Sequence, residues 1–259
     1  MPLEPSAALL TDRVAVVTGA AVGIGEAIAL AFANFGAHLA ICDRDVANLD
    51  GTADAIEAAG RRVVAAEIDV READQVQGFL GVVRDQFDHV DVLVNNAGGG
   101  FYATFLDVNA KGQDSLVREN FVSVTNFIRG VVPLVPATGG SILNLTSIEA
   151  HLAAPGYAVY SAMKAAVANL TKTLALELGD RMIRVNCIAP DVIPTPGIGV
   201  DLPMSTPLPR RGHIDDVAAA AVYLAGDLGR FVTGTTIHVD GGNLAAGGWK
   251  RADDGSFTT

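Results

Sequence analysis

The stretch "RVAVVTGAAVGIGEAIALAFANFG", residues 13–36, contains an apolar run, a glycine-rich turn and a helical pattern in immediate succession. The run "VAVV" is apolar on both faces, as in a strand buried inside a sheet, and the apolar residues after Gly25 recur at helical spacing. Glycines at the junction permit a tight turn and let a pyrophosphate approach the N–H groups at the start of the helix. The stretch therefore predicts a strand, a dinucleotide-binding loop and a helix, although a glycine turn needed only for packing would show the same pattern.

Strand-like apolar runs and helical patterns alternate along the rest of the chain. The predicted strands are residues 13–19, 37–43, 61–70, 90–98, 140–147, 183–190 and 235–242. The predicted helices after the first are residues 46–60, 71–87, 112–135, 157–178 and 217–228. Strands that are apolar on both faces and joined by helices indicate a parallel sheet with helices on both of its faces. We therefore predict an α/β fold, a single doubly wound Rossmann domain across residues 1–259 with a sheet of about seven strands.

The composition argues against several classes of protein. With 259 residues, half of them hydrophobic and 18% charged, the chain has enough apolar sequence for a large buried core. The formal net charge of −11 argues against binding to nucleic acid or to an anionic membrane, because both require positive charge. The two cysteines, Cys42 and Cys187, lie in predicted strands and are expected to be buried thiols, with a disulfide as the weaker alternative. Residues 1–13 do not resemble a secretory leader, no apolar run has membrane-spanning length, and no metal site is predicted, so we expect a soluble cytoplasmic protein.

Asp43 closes the second predicted strand. A carboxylate in that position accepts hydrogen bonds from both ribose hydroxyls of an adenosine and repels a 2′-phosphate. Val22 in the glycine loop offers no positive charge to a 2′-phosphate, whereas Arg44 is adjacent and has the length to approach one. We therefore predict NAD rather than NADP as the cofactor, with an ordinary exposed acid at a strand end as the alternative.

Tyr160 and Lys164 lie one helical turn apart in "YSAMK", within the predicted helix 157–178. A tyrosine has a pKa of about 10, and a cation one turn away is expected to lower that pKa. The phenol then donates or accepts a proton near neutral pH, as hydride transfer between a carbinol carbon and a nicotinamide ring requires. Ser147 ends the strand before this helix, so its hydroxyl is expected to reach the same substrate oxygen. On its own, the Tyr160–Lys164 pair would also suit a solvated helix face.

Together with further motifs, these residues make the chain resemble the short-chain dehydrogenase/reductase family from about residue 11 to residue 242. The motifs are "TGAAVGIG" (18–25), "IDV" (68–70), "NNAG" (95–98), "RENFVSV" (118–124), Ser147, "YSAMK" (160–164), "RVNCIAP" (184–190) and "VTGTTIHVDGG" (232–242). The resemblance implies an oxidoreductase in which Tyr160 is the general acid/base, Lys164 lowers its pKa and holds the ribose, and Ser147 orients the substrate oxygen.

The same resemblance implies the remaining site residues and the assembly. Asn120 would hold a water that links Lys164 to solvent as a proton relay. The protein would be a homotetramer, and we expect the C-terminal extension 243–259, which carries Trp249, to pack across a subunit boundary, or else to be a frayed terminus. The implied cofactor contacts are the loop residues Gly19, Gly23, Ile24 and Gly25, the ribose carboxylate Asp43, the adenine contacts Asp69 and Val70, the cleft floor at Asn96 and Gly98, Tyr160 and Lys164 themselves, and the carboxamide contacts Ile193 and Thr195.

One position departs from the family pattern. Asp191 follows Pro190 where the family usually has glycine, a residue that relaxes the backbone as it passes the nicotinamide. We expect Asp191 to place a carboxylate near the entrance of the pocket.

The residues expected near the substrate are mostly small or apolar. They include "HLAAPG" (151–156), Phe101, Tyr102 and a proline-rich loop at 194–212. We therefore favour a hydrophobic secondary alcohol or its ketone, with alicyclic and steroid-like compounds among the options. The alternatives are a 3-oxoacyl thioester reductase of the same family and a non-catalytic dinucleotide-binding sensor or scaffold.

Overall fold

The computed structural model describes residues 3–191, 193–196, 199, 206–252 and 254–258, and within them it confirms the seven-stranded parallel sheet. The strands are β1 Val14–Thr18, β2 His38–Asp43, β3 Val63–Glu67, β4 Val92–Asn95, β5 Gly140–Leu145, β6 Ile183–Pro190 and β7 Thr236–Val239. They lie side by side in the order β3-β2-β1-β4-β5-β6-β7, and each is parallel to its neighbours.

Helices cover both faces of this sheet, as predicted. The helices and their bounds are α1 Ile24–Asn34, α2 Val46–Ala58, α3 Ala73–Phe87, α4 Ala110–Val117, α5 Ser123–Val131, α6 Ala158–Glu177, α7 Ile214–Ala225 and α8 Asn243–Ala246. The helices α1, α2 and α7 share one buried cluster around Phe32, and α3, α5 and α6 share the other around Phe127. Each fully buried phenylalanine or leucine contributes about 2 kcal/mol of hydrophobic stabilisation.

The predicted helix over residues 112–135 is present from Ala110 to Leu134, but it contains a π turn and ends in a 3-10 turn. The chain enters α4 already at Ala110, passes through a π turn at Arg118–Val122, and continues as α5. In this turn the N–H group of Ser123 donates to the carbonyl of Arg118, five residues earlier. Asn120 lies in this π turn, is fully buried, and forms hydrogen bonds through its side-chain amide with the backbone of Gly99 in a neighbouring loop. Such a tertiary contact cannot be predicted from helical periodicity in the sequence.

The strand order places a crevice above β1 and β4. In an open parallel sheet, ligands bind beyond the carboxyl ends of the strands at the point where the connections change direction. Here β1 lies between β2 and β4, and the glycine loop leaves the carboxyl end of β1 at Thr18. The side chain of Thr18 accepts the N–H groups of Asn96 and Ala97 at 3.0 and 2.9 Å, and it thereby joins the ends of β1 and β4.

Beyond the sheet, the C-terminal extension forms α8 and a short antiparallel pair of strands, β8 Lys250–Arg251 and β9 Phe257–Thr258. The guanidinium of Arg251 lies 4.8 Å from the ring centroid of Phe257. Of the predicted loop at 194–212, residues 197–198 and 200–205 lie outside the described residues.

The state of the two cysteines and the character of the helices were also predicted from the sequence. Cys42 and Cys187 are both free and buried, as predicted. In the described ranges, no helix combines the length and the apolar character needed to cross a membrane.

Candidate active site

A cleft of about 750 Å³ opens at the carboxyl ends of the central strands. Two predicted site residues do not line it: Gly25 lies beneath the glycine loop, and Asn120 lies behind Gly98. The other predicted residues do line it, namely Gly19, Gly23, Ile24, Asp43, Asp69, Val70, Asn96, Gly98, Ser147, Tyr160, Lys164, Ile193 and Thr195.

The glycine loop is shaped for the close approach of a phosphate group. Gly19 has a φ of +67°, and a Cβ atom there would lie 2.9 Å from the Cα atom of Ala97. A Cβ atom at Gly25 would collide with the carbonyl oxygen of Gly19, so only glycine lets the first turn of α1 pack under the loop. The amide of Asn96 donates to the carbonyls of Thr18 and Gly19 at 3.0 and 2.9 Å, which holds the loop in place. The N-terminus of α1 therefore faces the cleft beside a turn in which Gly19 and Gly23 keep the backbone accessible, which fits the pyrophosphate of a dinucleotide.

Carboxylates dominate the end of the cleft next to β2. The side chain of Asp43 accepts the N–H groups of Ala21, Arg44 and Asp45 at 3.0, 2.7 and 3.1 Å, so its orientation is fixed by the backbone. Asp69 forms an ion pair with Arg71, whose hydrogen bonds hold the pKa of that carboxyl below its usual range. We call this end, lined by Asp43, Arg44, Asp45, Asp69 and Glu119, the adenosine end.

Lys164 and Tyr160 meet at the opposite end of the cleft, which we call the catalytic end. α6 begins and ends within one residue of the predicted helix, and both side chains project from it into the cleft. The Lys164 ammonium is buried, lies 5.5 Å from the centroid of the Tyr160 ring, and donates to the carbonyl of Leu145 at 2.8 Å. An ammonium has three donors, so Leu145 leaves two of them for the cleft.

The pKa of Tyr160 moves in the direction opposite to the predicted one. Burial raises the pKa of Tyr160 to about 12, the negative charge of Glu149 raises it further, and a hydrogen bond with Ser147 lowers it. Burial also lowers the pKa of Lys164 to about 8, although the nearby Cys187 and Glu119 act in the opposite direction. The spacing of the two residues correctly indicates that they share a face, but burial is the largest influence on the pKa of each.

Asn120 supports the catalytic end from behind. Its side-chain oxygen accepts the N–H group of Gly99 at 3.1 Å, and its amide nitrogen donates to the carbonyls of Gly99 and Leu116 at 2.9 and 3.0 Å. A Cβ atom at Gly98 would lie 2.8 Å from the Asn120 oxygen and 3.1 Å from the Lys164 nitrogen, so glycine lets both groups approach the loop closely. The side chain of Asn120 thus anchors the loop after β4, and its part in a proton relay stays a prediction.

The segment after β6 contains the departure from the family pattern. Asp191 has no positive φ, so an aspartate fits this backbone without strain. Its carboxylate lines the cleft and accepts the side-chain amide of Asn243 at 2.8 Å, which ties the start of α8 to the pocket wall. Ile193 is buried in the same wall, and Thr195 packs over Gly23, where a Cβ atom would lie 3.1 Å from the Thr195 methyl.

Several residues that line or border the cleft have no place in the sequence-based prediction of the site. Glu149 follows Ser147 through a 3-10 turn at Ile148–Ala150 that carries its half-buried carboxylate into the catalytic end. Burial and the charge of Asp191 both raise the pKa of Glu149. Tyr157 makes edge contacts with Tyr160 and with the exposed Tyr102, at centroid distances of 6.4 and 5.8 Å. The only available sequence signals were the proximity of Glu149 to Ser147 and the position of Tyr157 one residue before α6.

The chain is similar to several known oxidoreductases along most of its length. The family described as enoyl-(acyl carrier protein) reductase matches residues 19–243. An uncharacterised oxidoreductase from Mycobacterium tuberculosis is 40% identical over 244 residues, covering 90% of this chain and 92% of that protein. A 3-oxoacyl-[acyl-carrier-protein] reductase from Thermotoga maritima is 36% identical over 242 residues, covering 90% of this chain and 98% of that protein. Among solved structures, a 7α-hydroxysteroid dehydrogenase complexed with NADH and 7-oxo glycochenodeoxycholic acid matches with a TM-score of 0.88 and 29% identity, covering 93% of this chain and 98% of that one.

Proposed function

The chain belongs to the short-chain dehydrogenase/reductase family of oxidoreductases, and we propose that it transfers a hydride between NAD(H) and a hydrophobic secondary alcohol or its ketone. The observation that carries this proposal is the convergence of Ser147, Tyr160 and Lys164 at one end of a cleft whose floor is a glycine loop at a helix N-terminus. When bound, the nicotinamide ring accepts or supplies the hydride.

The protein's own groups handle the proton and the substrate oxygen. In alcohol oxidation, Tyr160 takes the carbinol proton at its phenolic oxygen while Ser147 hydrogen-bonds the same substrate oxygen. In ketone reduction, the Tyr160 hydroxyl returns a proton to that oxygen. The two free donors of Lys164 bind the ribose beside the ring and stabilise the phenolate electrostatically.

Electrostatics at the adenosine end supports NAD rather than NADP. Among the described residues that line this end, four carboxylates face a single guanidinium, that of Arg44. A 2′-phosphate carries about two negative charges at neutral pH, so its transfer into this environment is unfavourable. Because cells keep the NAD couple oxidised, we propose alcohol oxidation as the direction.

Aromatic side chains at the mouth of the catalytic end support an apolar substrate. Three tyrosine rings connect the surface with the catalytic end through edge contacts. The ring of Tyr102 contacts that of Tyr157, which in turn contacts that of Tyr160. Phe101, directly before Tyr102, is 46% exposed, which adds an apolar side chain to this rim. A rigid alicyclic or steroid-like alcohol suits such a rim, because aromatic rings offer contact area at little cost in entropy.

A substrate panel tests this assignment. We would measure NAD⁺ reduction with hydroxysteroids, cyclic alcohols and 3-hydroxyacyl thioesters, and include a cyclic alcohol with and without a carboxylate as a matched pair. The neutral alcohols should have the highest kcat/KM, and the carboxylate should reduce kcat/KM about tenfold because Glu149 and Asp191 line the pocket. Higher activity with NADP⁺ than with NAD⁺ would contradict the cofactor assignment.

The substitution Tyr102→Ala tests the apolar rim within the same assay. It should raise KM for the preferred alcohol about fivefold and change kcat little, because it removes binding area distant from the reacting atoms. Phe231→Ala is the matched control, since Phe231 is fully exposed and does not line the cleft. Equal KM values for the two variants would argue against the rim as a substrate contact.

Reduction of a 3-oxoacyl thioester is the second candidate function. The similarity to 3-oxoacyl-[acyl-carrier-protein] reductases over 90% of the chain favours it. The substrate panel separates the two, because this function requires the thioester to have a higher kcat/KM than every cyclic alcohol.

Assembly and location belong to the same proposal. We propose a cytoplasmic homotetramer in which the tail 243–259 contributes to a subunit contact. Deletion of residues 246–259 should then reduce the oligomer size measured by light scattering and alter KM, whereas unchanged size and kinetics would reject a role for the tail.

A further inference from the structure

We propose that Glu119 is a specificity-determining residue for the dinucleotide, because it holds the Arg44 guanidinium across the adenosine end and thereby withholds it from a 2′-phosphate. This inference rests on the proposed function, since it concerns the dinucleotide that the function requires. Asp43 would then be one of two residues that decide between NAD and NADP, and Glu119, from a distant part of the chain, would be the second.

The ion pair spans the cleft. Arg44 directly follows Asp43 at the end of β2, and Glu119 lies in the π turn between α4 and α5. The Arg44 Nη2 atom and the Glu119 Oε1 atom are 3.8 Å apart, and both residues line the cleft. The Arg44 side chain is 64% exposed and the Glu119 side chain 20%, so Glu119 is the fixed partner and Arg44 the mobile one.

The backbone fixes Glu119 independently of Arg44. Its carbonyl accepts the hydroxyl of Ser123 at 2.6 Å. The next residue, Asn120, is fully buried and bonded to Gly99 and Leu116. The backbone that carries the Glu119 side chain is therefore held in place without Arg44.

Arg44 is the cation that a 2′-phosphate would recruit. A guanidinium pairs with phosphate through two parallel N–H donors, and its position beside Asp43 places it next to the ribose. The other arginine in the vicinity, Arg71, is bound to both carboxylate oxygens of Asp69 and donates to the Ser115 hydroxyl at 3.0 Å. With Arg71 held in this way, the choice of dinucleotide depends on what Arg44 contacts.

Loss of the Glu119 charge should therefore favour binding of the phosphorylated dinucleotide for two reasons. It frees Arg44, and it removes one of four carboxylates from the lining of this end. The Glu119 charge also raises the pKa of Lys164. A change in turnover would therefore combine an effect on Lys164 with the effect on dinucleotide binding. For this reason we choose dissociation constants as the quantity to measure.

Isothermal titration calorimetry with NAD⁺ and NADP⁺ tests the proposal on the full-length protein. Glu119→Gln should tighten NADP⁺ binding about tenfold and change NAD⁺ binding less than about threefold. Glu72→Gln is the matched control: Glu72 pairs with Arg118 at 3.2 Å on the neighbouring surface and does not line the cleft, so its loss should change neither constant.

A second substitution separates the release of Arg44 from the simple removal of charge. The double variant Arg44→Gln with Glu119→Gln should lose most of the gain in NADP⁺ affinity, as a double-mutant cycle would show. A full gain in the double variant, or no gain in Glu119→Gln, would overturn the inference while leaving the proposed function intact. Failure of the wild-type protein to bind either dinucleotide would overturn both.

Discussion

The two ends of the cleft use charge in opposite ways. At the adenosine end the charged groups are partly exposed and joined in ion pairs, as in Arg44–Glu119 and Asp69–Arg71. At the catalytic end Lys164 is only 5% exposed and binds a carbonyl instead of a carboxylate, and Tyr160 packs beside the half-buried Glu149. The same sheet edge thus carries one region of paired, partly exposed charges and another where burial shifts the pKa values of the titratable groups.

The difference follows from the access of water. Exposed ion pairs are screened and contribute about 1 kcal/mol or less each to stability, but they readily discriminate between ligands that differ by a phosphate. A buried ammonium or phenol cannot be screened, so its pKa moves even where no strong partner is present. Substitutions at the catalytic end should therefore change rate and pH dependence, and those at the adenosine end should change affinity.

The largest expected effect tests the catalytic end directly. Tyr160→Phe removes the hydroxyl that we propose exchanges a proton with the substrate, so kcat should fall about a thousandfold. The adenosine end and the glycine loop are unaffected, so the dissociation constant for NADH should stay within about threefold of the wild-type value. Stopped-flow turnover and fluorescence titration of NADH measure the two quantities.

The outcome also decides between an enzyme and a sensor or scaffold. A scaffold would bind NADH equally well in both forms and would show no turnover in the wild-type protein. Tyr157→Phe is the matched control, because it removes a phenol from the same cleft one residue before α6 and should leave kcat within about threefold. If Tyr157→Phe lost as much activity as Tyr160→Phe, the assignment of the reacting phenol would be wrong.

The second prediction concerns the cost of burying Lys164. Its pKa of about 8 in the folded protein is below the ordinary value of 10.5, so below pH 8 both folded and unfolded chains carry the charge and the cost is fully present. Between about pH 8 and 10.5 the unfolded chain binds more protons, and this group's contribution to stability therefore rises with pH. The rise should approach about 3 kcal/mol.

Urea unfolding of wild type and Lys164→Met across this pH range measures the effect as a difference between the two curves. Lys172→Met is the control, because Lys172 is exposed on the same helix and its removal should leave the pH dependence of the wild type in place. A constant difference between wild type and Lys164→Met from pH 7 to 11 would show that burial does not perturb Lys164.

The comparison also shows which features the sequence could predict. The sheet, the glycine loop and α6 depend on local patterns. The structure confirms all seven strands to within a few residues at their ends, and α6 to within one residue. Asp43 and Tyr160 were identifiable because each lies at a fixed position relative to such an element. Both residues line the same cleft, and their functional roles stay predictions.

What the sequence could not predict depends on contacts between distant segments. The π turn holds Asn120 in contact with Gly99, which is on a different element. The raised pKa of Tyr160 comes from burial and from Glu149, whereas spacing along α6 shows only the neighbouring Lys164. The pairing of Arg44 with Glu119 likewise joins two separate parts of the chain, and nothing in either segment indicates it.

The third prediction tests the adenosine end. Asp43→Asn preserves the shape of the side chain and removes its charge, so NAD⁺ binding should weaken about tenfold and the preference over NADP⁺ should fall by a similar factor. Asp45→Asn is the matched control: Asp45 lines the same end, but its carboxylate caps α2 by accepting the N–H group of Asn48. Calorimetric dissociation constants give both ratios, and an equal loss of preference in the two variants would mean that Asp43 has no special role.

The smallest expected effect concerns Glu149. The substitution Glu149→Gln changes a charge at the catalytic end, as the substitutions at the adenosine end do, without removing a reacting group. The carboxylate of Glu149 raises the pKa of Tyr160, so Glu149→Gln should lower that pKa. Oxidation requires the ionised phenol, and the apparent pKa in the pH profile of kcat/KM should therefore move to lower pH, by about one unit or less. Glu177→Gln, at the exposed far end of α6, should leave the profile unchanged. An apparent pKa that stays constant or rises in Glu149→Gln would mean that the Glu149 charge is screened, and that the catalytic end is open to water like the adenosine end.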